Sequence, residues 1–203
     1  MIEVTKESAL PDRNSEIEIS SFHYVNNNNV KENYPNGYEE IYLGLGCFWG
    51  AERLFWNLQN VHITSVGYGG GYTKNPTYQD ICSGKTGHAE LVKVVFKDEE
   101  NNFENIVKVF FENHDPTQGM RQGNDMGTQY RSGIYYSAEE EKEIIAKTKQ
   151  KYQSELDLNG FGSITTEVKE AGIFYYAEHY HQQYLAKNPD GYCALVGTGV
   201  KIN

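Results

Sequence analysis

The sequence predicts one two-layer domain of the α/β or α+β class, single and with long loops. Strand-like and helix-like apolar patterns alternate four times along the chain, the arrangement in which helices cover a sheet. Its 203 residues suit one domain of ~100–200 residues with an extension. Two Gly-interrupted polar stretches sit between patterned segments, and long loops inside a compact domain are usually functional.

Taken in order, residues 1–38 read as a polar N-terminal extension, flexible by composition. It holds Asn26 to Asn29 in a row and the turn signal Pro35-Asn36-Gly37. Residues 39–203 form the domain. Ile41 to Leu45 reads as a buried strand ending at Gly46. Ala51 to Leu58 reads as a helix, with Leu54 and Leu58 one turn apart. Residues 67–87 are Gly-rich and read as the first long loop, and Leu91 to Phe96 as the second strand. Phe103, Ile106, Val107, Phe110 and Phe111 make the apolar stripe of a helix. Asp115 to Arg131 is the second long loop and Ile134 to Tyr136 a short strand. Ser137 and Glu140 read as a capping box opening a charged helix to about Leu156. Ile164, Thr166 and Val168 alternate as a strand, and Ala177 to Lys187 reads as a helix stopped by Asn188-Pro189. The end, Gly191 to Asn203, reads as a mobile C-terminal tail.

Composition narrows the function classes. Lys+Arg is 18 against 28 Asp+Glu, a formal charge of −10, which disfavours a nucleic-acid backbone binder. Residues 1–20 lack the apolar core of a signal peptide, and no apolar run approaches a membrane span of ~18 residues. Cys47, Cys82 and Cys193 are too few and scattered for a disulfide scaffold. The expectation is a cytoplasmic protein with no membrane association. The histidines and cysteines show no metal-ligand spacing, and the glycines near residue 70 no phosphate loop, so no metal or cofactor is expected.

The sharpest chemical feature is Gly46-Cys47-Phe48-Trp49-Gly50. It sets a thiol where a strand turns into a helix, beside amide N–H groups that stabilise an anion. An ordinary thiol pKa is ~8.5, and a helix N-terminus lowers it to ~7 or below, activating the nucleophile. Free cysteine is otherwise most often a small buried hydrophobe. Glu90, in Gly87-His88-Ala89-Glu90, enters a strand; walled by aromatics it would hold a proton at neutral pH, whereas in solvent it would be an ordinary carboxylate. Tyr78 and Tyr130 lie in the two long loops, where each hydroxyl could bind a polar oxygen or simply face solvent.

Together these segments resemble the peptide-methionine sulfoxide reductase A family. The resemblance rests on Gly46 to Gly50, Gly67-Tyr68-x-Gly70-Gly71, Asn75 to Tyr78, Thr86 to Glu90, His114-Asp115-Pro116, Gln118 to Asp125, Gly127 to Ser132 and Tyr180 to Leu185. It covers about residues 40 to 195. It implies a ferredoxin-like two-layer sandwich, usually monomeric, that reduces the S epimer of methionine sulfoxide, free or in oxidised proteins. By motif position Cys47 resembles the nucleophile, Phe48 and Trp49 the methyl pocket, Glu90 the acid assisted by Tyr78 and Tyr130, and Asp125 the holder of the substrate's polar backbone. Cys193 resembles the recycling cysteine that closes a disulfide with Cys47, later reduced by thioredoxin. Many members carry a further cysteine; nothing after Cys193 is Cys, so a single disulfide is expected, with Cys82 structural or an alternative resolver. Two other readings stay open: a thiol hydrolase using His88 or His114 with Asp115, and a methionine-binding module without turnover.

Overall fold

The computed structural model describes residues 4–31, 34, 36–97, 99, 101–193 and 195–202. Pro35 of the turn signal, and residues 1–3, 194 and 203 of the two predicted termini, lie outside the described residues. The framework is β1 (Tyr38–Leu45), α1 (Phe48–Trp56), β2 (Val61–Gly69), α2 (Tyr78–Cys82), β3 (Ala89–Lys97) and α3 (Asn102–Glu112). Then come β4 (Arg121–Gln122), β5 (Asp125–Met126), a 3-10 turn (Thr128–Tyr130), β6 (Ser132–Tyr136), α4 (Glu139–Leu158), β7 (Glu167–Glu170), β8 (Tyr175–Tyr176) and α5 (Tyr184–Lys187). Among the described residues the main sheet runs β7-β6-β1-β3-β2-β8. Its centre is antiparallel, and only β6 and β7 pair in parallel. Within it, β1-α1-β2-β3-α3-β6 with strand order β6-β1-β3-β2 is the ferredoxin-like βαββαβ arrangement.

The period of two along each strand sorts the core. Ile41, Leu43 and Leu45 of β1, and Val92, Val94 and Phe96 of β3, pack against α1, α3 and α4 in one large cluster. The alternate residues Tyr42, Ala89, Leu91 and Tyr135 meet Ala171 and Phe174 on the opposite face. Glu90 belongs to the helix-facing row of β3, at its first turn-ward position beside the start of α1.

Several expectations need correction. The 67–87 loop is shorter than read, because β2 runs through Gly69 and α2 fills residues 78–82. Helix α1 starts at Phe48, three residues before the apolar pattern. The capping box of α4 is one residue on: Glu141 accepts from the N–H groups of Ser137 and Ala138 at 2.7 and 3.1 Å. The alternating strand at 164–168 shifts to 167–170, the stretch that pairs with β6. Ala177 to Lys187 is mostly turns, ending in the four residues of α5, because the Gln182 and Gln183 side chains bond across the fold instead of facing a helix groove.

The two termini, expected to be flexible and mobile, lie against the domain. His23 is buried, its Nε2 3.1 Å from Thr64 Oγ1, and Val30 joins a small cluster with Ile63 and Val95. Arg13 forks onto both oxygens of Asp80 at 2.7 and 3.0 Å. At the other end Val200 and Ile202 are buried, and the Ile202 N–H donates to Glu112 Oε1 at 2.7 Å. Among the described residues no helix is long and apolar enough to cross a membrane.

Candidate active site

The site is built where β1 gives way to α1. Gly46 has φ +92°, a left-handed conformation that suits glycine, and a Cβ there would fall 2.6 Å from the Gln122 side chain. Gln122, in turn, is held by the Asp115 backbone, donating to its carbonyl at 3.0 Å and accepting from its N–H at 3.1 Å. This sharp bend makes Cys47 the N-cap of α1, half-buried at the helix mouth.

The placement is as expected, yet the thiol does not titrate as the helix end alone would dictate. Burial, then the charge of nearby Glu90, push the Cys47 thiol well up; the Trp49 amide pulls the other way and loses. At rest the sulfur therefore holds its proton, and the expected lowering to ~7 is corrected. Glu90 is 2% exposed. Its Oε2 accepts from the Phe48 N–H at 3.1 Å. Burial pushes its carboxyl up to about 8, against that hydrogen bond, with Asp125 adding to the rise. It is thus protonated at neutral pH.

Tyr78 and Tyr130 face the same charges. Burial, then Glu90, raise both hydroxyls above the ordinary tyrosine range, so both stay donors. The Tyr78 amide donates to Glu178 Oε1 at 2.8 Å, and Tyr68 Oη donates to Glu178 Oε2 at 2.8 Å. Arg131, buried, bonds the Thr128 carbonyl at 2.9 Å and Glu167 at 2.7 Å, which fixes the turn carrying Tyr130.

The aromatic wall closes around His181. Trp49 Nε1–H donates to His181 Nδ1 at 3.0 Å, and the Trp49 ring stacks on Tyr184 at 4.0 Å. The rings of Phe48, Tyr78 and Tyr180 stand 5.1, 4.5 and 4.2 Å from the imidazole. Burial lowers the His181 pKa to about 4, so the ring is neutral. Its Nε2 has no hydrogen-bond partner among the described residues, and neither has the buried Oδ2 of Asp125. The other Asp125 oxygen accepts from Tyr192 Oη at 3.2 Å.

Cys47, Phe48, Trp49, Glu90, Tyr78, Tyr130 and Asp125 therefore converge. Cys193 lies over α1, its sulfur within 3.1 Å of Arg53 Nη2, and all three cysteines are reduced. Cys82 is exposed at the end of α2, its sulfur against the Tyr78 hydroxyl. Neither histidine named for the hydrolase reading is free to act as its base. His88 accepts from the Gly71 N–H and meets the Thr73 carbonyl, and His114 is taken up by the Phe110 carbonyl and Ser132 Oγ.

Sequence reasoning gave no role to His181, Glu178, Tyr184 or Tyr192. Three of the four lie in or beside the Tyr180 to Leu185 and Tyr192-Cys193 segments, but only the fold turns these toward α1.

Comparison with known proteins agrees over nearly the whole chain. The family model described as peptide methionine sulfoxide reductase matches residues 39–201. The mitochondrial peptide methionine sulfoxide reductase of Rattus norvegicus is 56% identical over 197 residues, 97% of this chain and 84% of the relative. The peptide methionine sulfoxide reductase MsrA of Maricaulis maris (strain MCS10) is 56% identical, across 97% of this chain and 91% of its own length. The solved structure of methionine sulfoxide reductase A of Corynebacterium diphtheriae superposes with a TM-score of 0.88 at 42% identity, covering 95% of this chain and 94% of that one.

Proposed function

The chain belongs to the peptide methionine sulfoxide reductase family, and we propose that this site reduces the S epimer of methionine sulfoxide, free or in proteins, back to methionine. The observation that carries the reading is the buried Glu90 carboxyl, which accepts at 3.1 Å from the amide of Phe48, the residue next to Cys47.

The substrate methyl enters the cup of Phe48 and Trp49, and its polar backbone is held by Asp125, whose buried Oδ2, without a partner among the described residues, accepts an N–H. The sulfoxide oxygen takes a proton from Glu90 and hydrogen bonds from Tyr78 and Tyr130, making sulfur electrophilic. Cys47 sulfur attacks substrate sulfur. Across the step the Cys47 proton replaces the one Glu90 gave, the oxygen passes to Cys47 as a sulfenic acid, and methionine leaves. Cys193 then condenses with the sulfenic acid, forming a disulfide and water, and a thioredoxin dithiol restores both thiols. On this reading residues 39–203 form the catalytic domain behind a polar extension, acting as a monomer in the cytoplasm.

The test is stereochemical. Incubated with both sulfoxide epimers and a dithiol, the protein should consume the S epimer alone; consumption of the R epimer, or of neither, defeats the reading.

A further inference from the structure

We propose that Arg53 and Gly50 form a seat for the Cys193 sulfur, and that Arg53 is a catalytic residue of disulfide closure. The inference rests on Cys193 being the resolving thiol. Arg53 Nη2 donates to Cys193 Sγ at 3.1 Å, its one side-chain hydrogen bond among the described residues. Gly50 leaves the room: a Cβ on it would stand 2.9 Å from that sulfur and 3.0 Å from Leu195 Cβ.

Glycine is a poor helix former, so one inside the first turn of the nine-residue α1 asks for a reason. Here the reason is the bare helix surface on which Cys193 rests. Cys47, Gly50 and Arg53 follow each other at steps of three along α1, so the seat lies about one turn from the nucleophile. The resolving thiol is thus stored beside its target, not in solution.

The chemistry asks for a cation there. The Cys193 sulfur attacks the sulfur of Cys47 sulfenic acid. An S–S bond forms, the S–O bond breaks, and hydroxide leaves with the thiol proton as water. Cys193 is oxidised and the Cys47 sulfur reduced. As the Cys193 proton departs, negative charge grows on its sulfur, and a guanidinium hydrogen bond strengthens with that charge. The bland alternative is a solvated helix arginine that grazes a cysteine, and it predicts no effect on closure.

The experiment uses the full chain as wild type, Arg53→Met, Arg53→Lys, Gly50→Ala and Cys193→Ser. Each reduced protein is mixed with racemic methionine sulfoxide without a dithiol. Samples are quenched over time with a 1,3-diketone that traps sulfenic acids. Methionine released, diketone adduct on Cys47 and Cys47–Cys193 disulfide are read by mass spectrometry. Arg53→Met should release its one methionine per chain but close the disulfide roughly ten- to a hundredfold more slowly, with the adduct accumulating. Arg53→Lys should recover part of the rate, and Gly50→Ala should slow closure. Closure by Arg53→Met at the wild-type rate overturns the seat. A wild-type chain that releases methionine yet links Cys47 to Cys82 instead overturns the resolver assignment, a different and separable failure. If Gly50→Ala does not fold by circular dichroism, the pair at exposed Arg53 decides the matter.

Discussion

The amide of Phe48 donates to Glu90 Oε2 across 3.1 Å, so the residue after the nucleophile anchors the acid. The hydrogen bond favours the ionised carboxyl, but burial outweighs it and leaves the group titrating near 8. The acid on β3 and the nucleophile capping α1 are linked through that one amide, and their protons belong to the pair.

Replacing Glu90 by Gln should slow the first methionine release by ~10²–10⁴, the usual worth of a positioned acid. In the wild type the same step should decline above about pH 8, where Glu90 loses its proton. Glu90→Gln should lack that decline. Rapid-quench assays of one turnover between pH 6 and 9.5 read both effects; an undiminished rate in the variant removes Glu90 from the acid role.

The same burial sets a stability slope. The Glu90 carboxyl is raised from 4.5 to about 8 by folding. Between those values the unfolded chain has released a proton that the folded chain keeps. Folding then takes up a proton, so this contribution falls as pH rises through the window and levels off above 8. Glu90→Gln should therefore gain thermal midpoint over wild type from pH 5 to pH 8. A constant difference across that range contradicts the burial argument.

Arg13 reaches Tyr78 through Asp80. The guanidinium holds the Asp80 carboxyl well below the usual carboxylate range, and Asp80 caps α2, of which Tyr78 is the first residue. The pair is exposed on the arginine side, so its effect on stability should be small. Arg13→Ala should lower the single-turnover rate several-fold while the thermal midpoint barely moves. An unchanged rate would mean that the lead-in only covers the sheet.

Trp49→Phe keeps an aromatic, though smaller, ring but removes the N–H that meets His181 Nδ1. A buried acceptor left unpaired costs about 1–3 kcal/mol. The methyl cup should loosen, raising KM about tenfold or more with a smaller change in kcat, measured with free S-sulfoxide. An unaltered KM would separate His181 from the cup.

Much of this was legible because local pattern and tertiary role agreed. The apolar stripe from Phe103 to Phe111 became α3, and the glycine-flanked Cys47 became a helix N-cap. Glu90 was readable too: it occupies the same face as Val92, Val94 and Phe96, so period two alone turns it toward α1. Strand β2 was obscured because its end coincides with the glycine run. The Ala177 to Lys187 stretch misled because its polar residues serve distant partners: Gln182 bonds Val66, and Gln183 bonds buried Glu52. Long-range hydrogen bonds of that kind leave no periodic trace.

The stretch of chain bearing Cys193 is held on both sides of the sulfur. Behind it Asn188 closes α5 onto the Tyr184 carbonyl, and ahead of it Thr198 meets Tyr152 and Ile202 docks on α3. A sulfur seated on α1 and held on both sides explores a small volume, which gives it an effective concentration of millimolar order or above at its target. Micromolar outside thiols should then lose the competition for an oxidised Cys47, and the chain itself would decide which sulfur answers first.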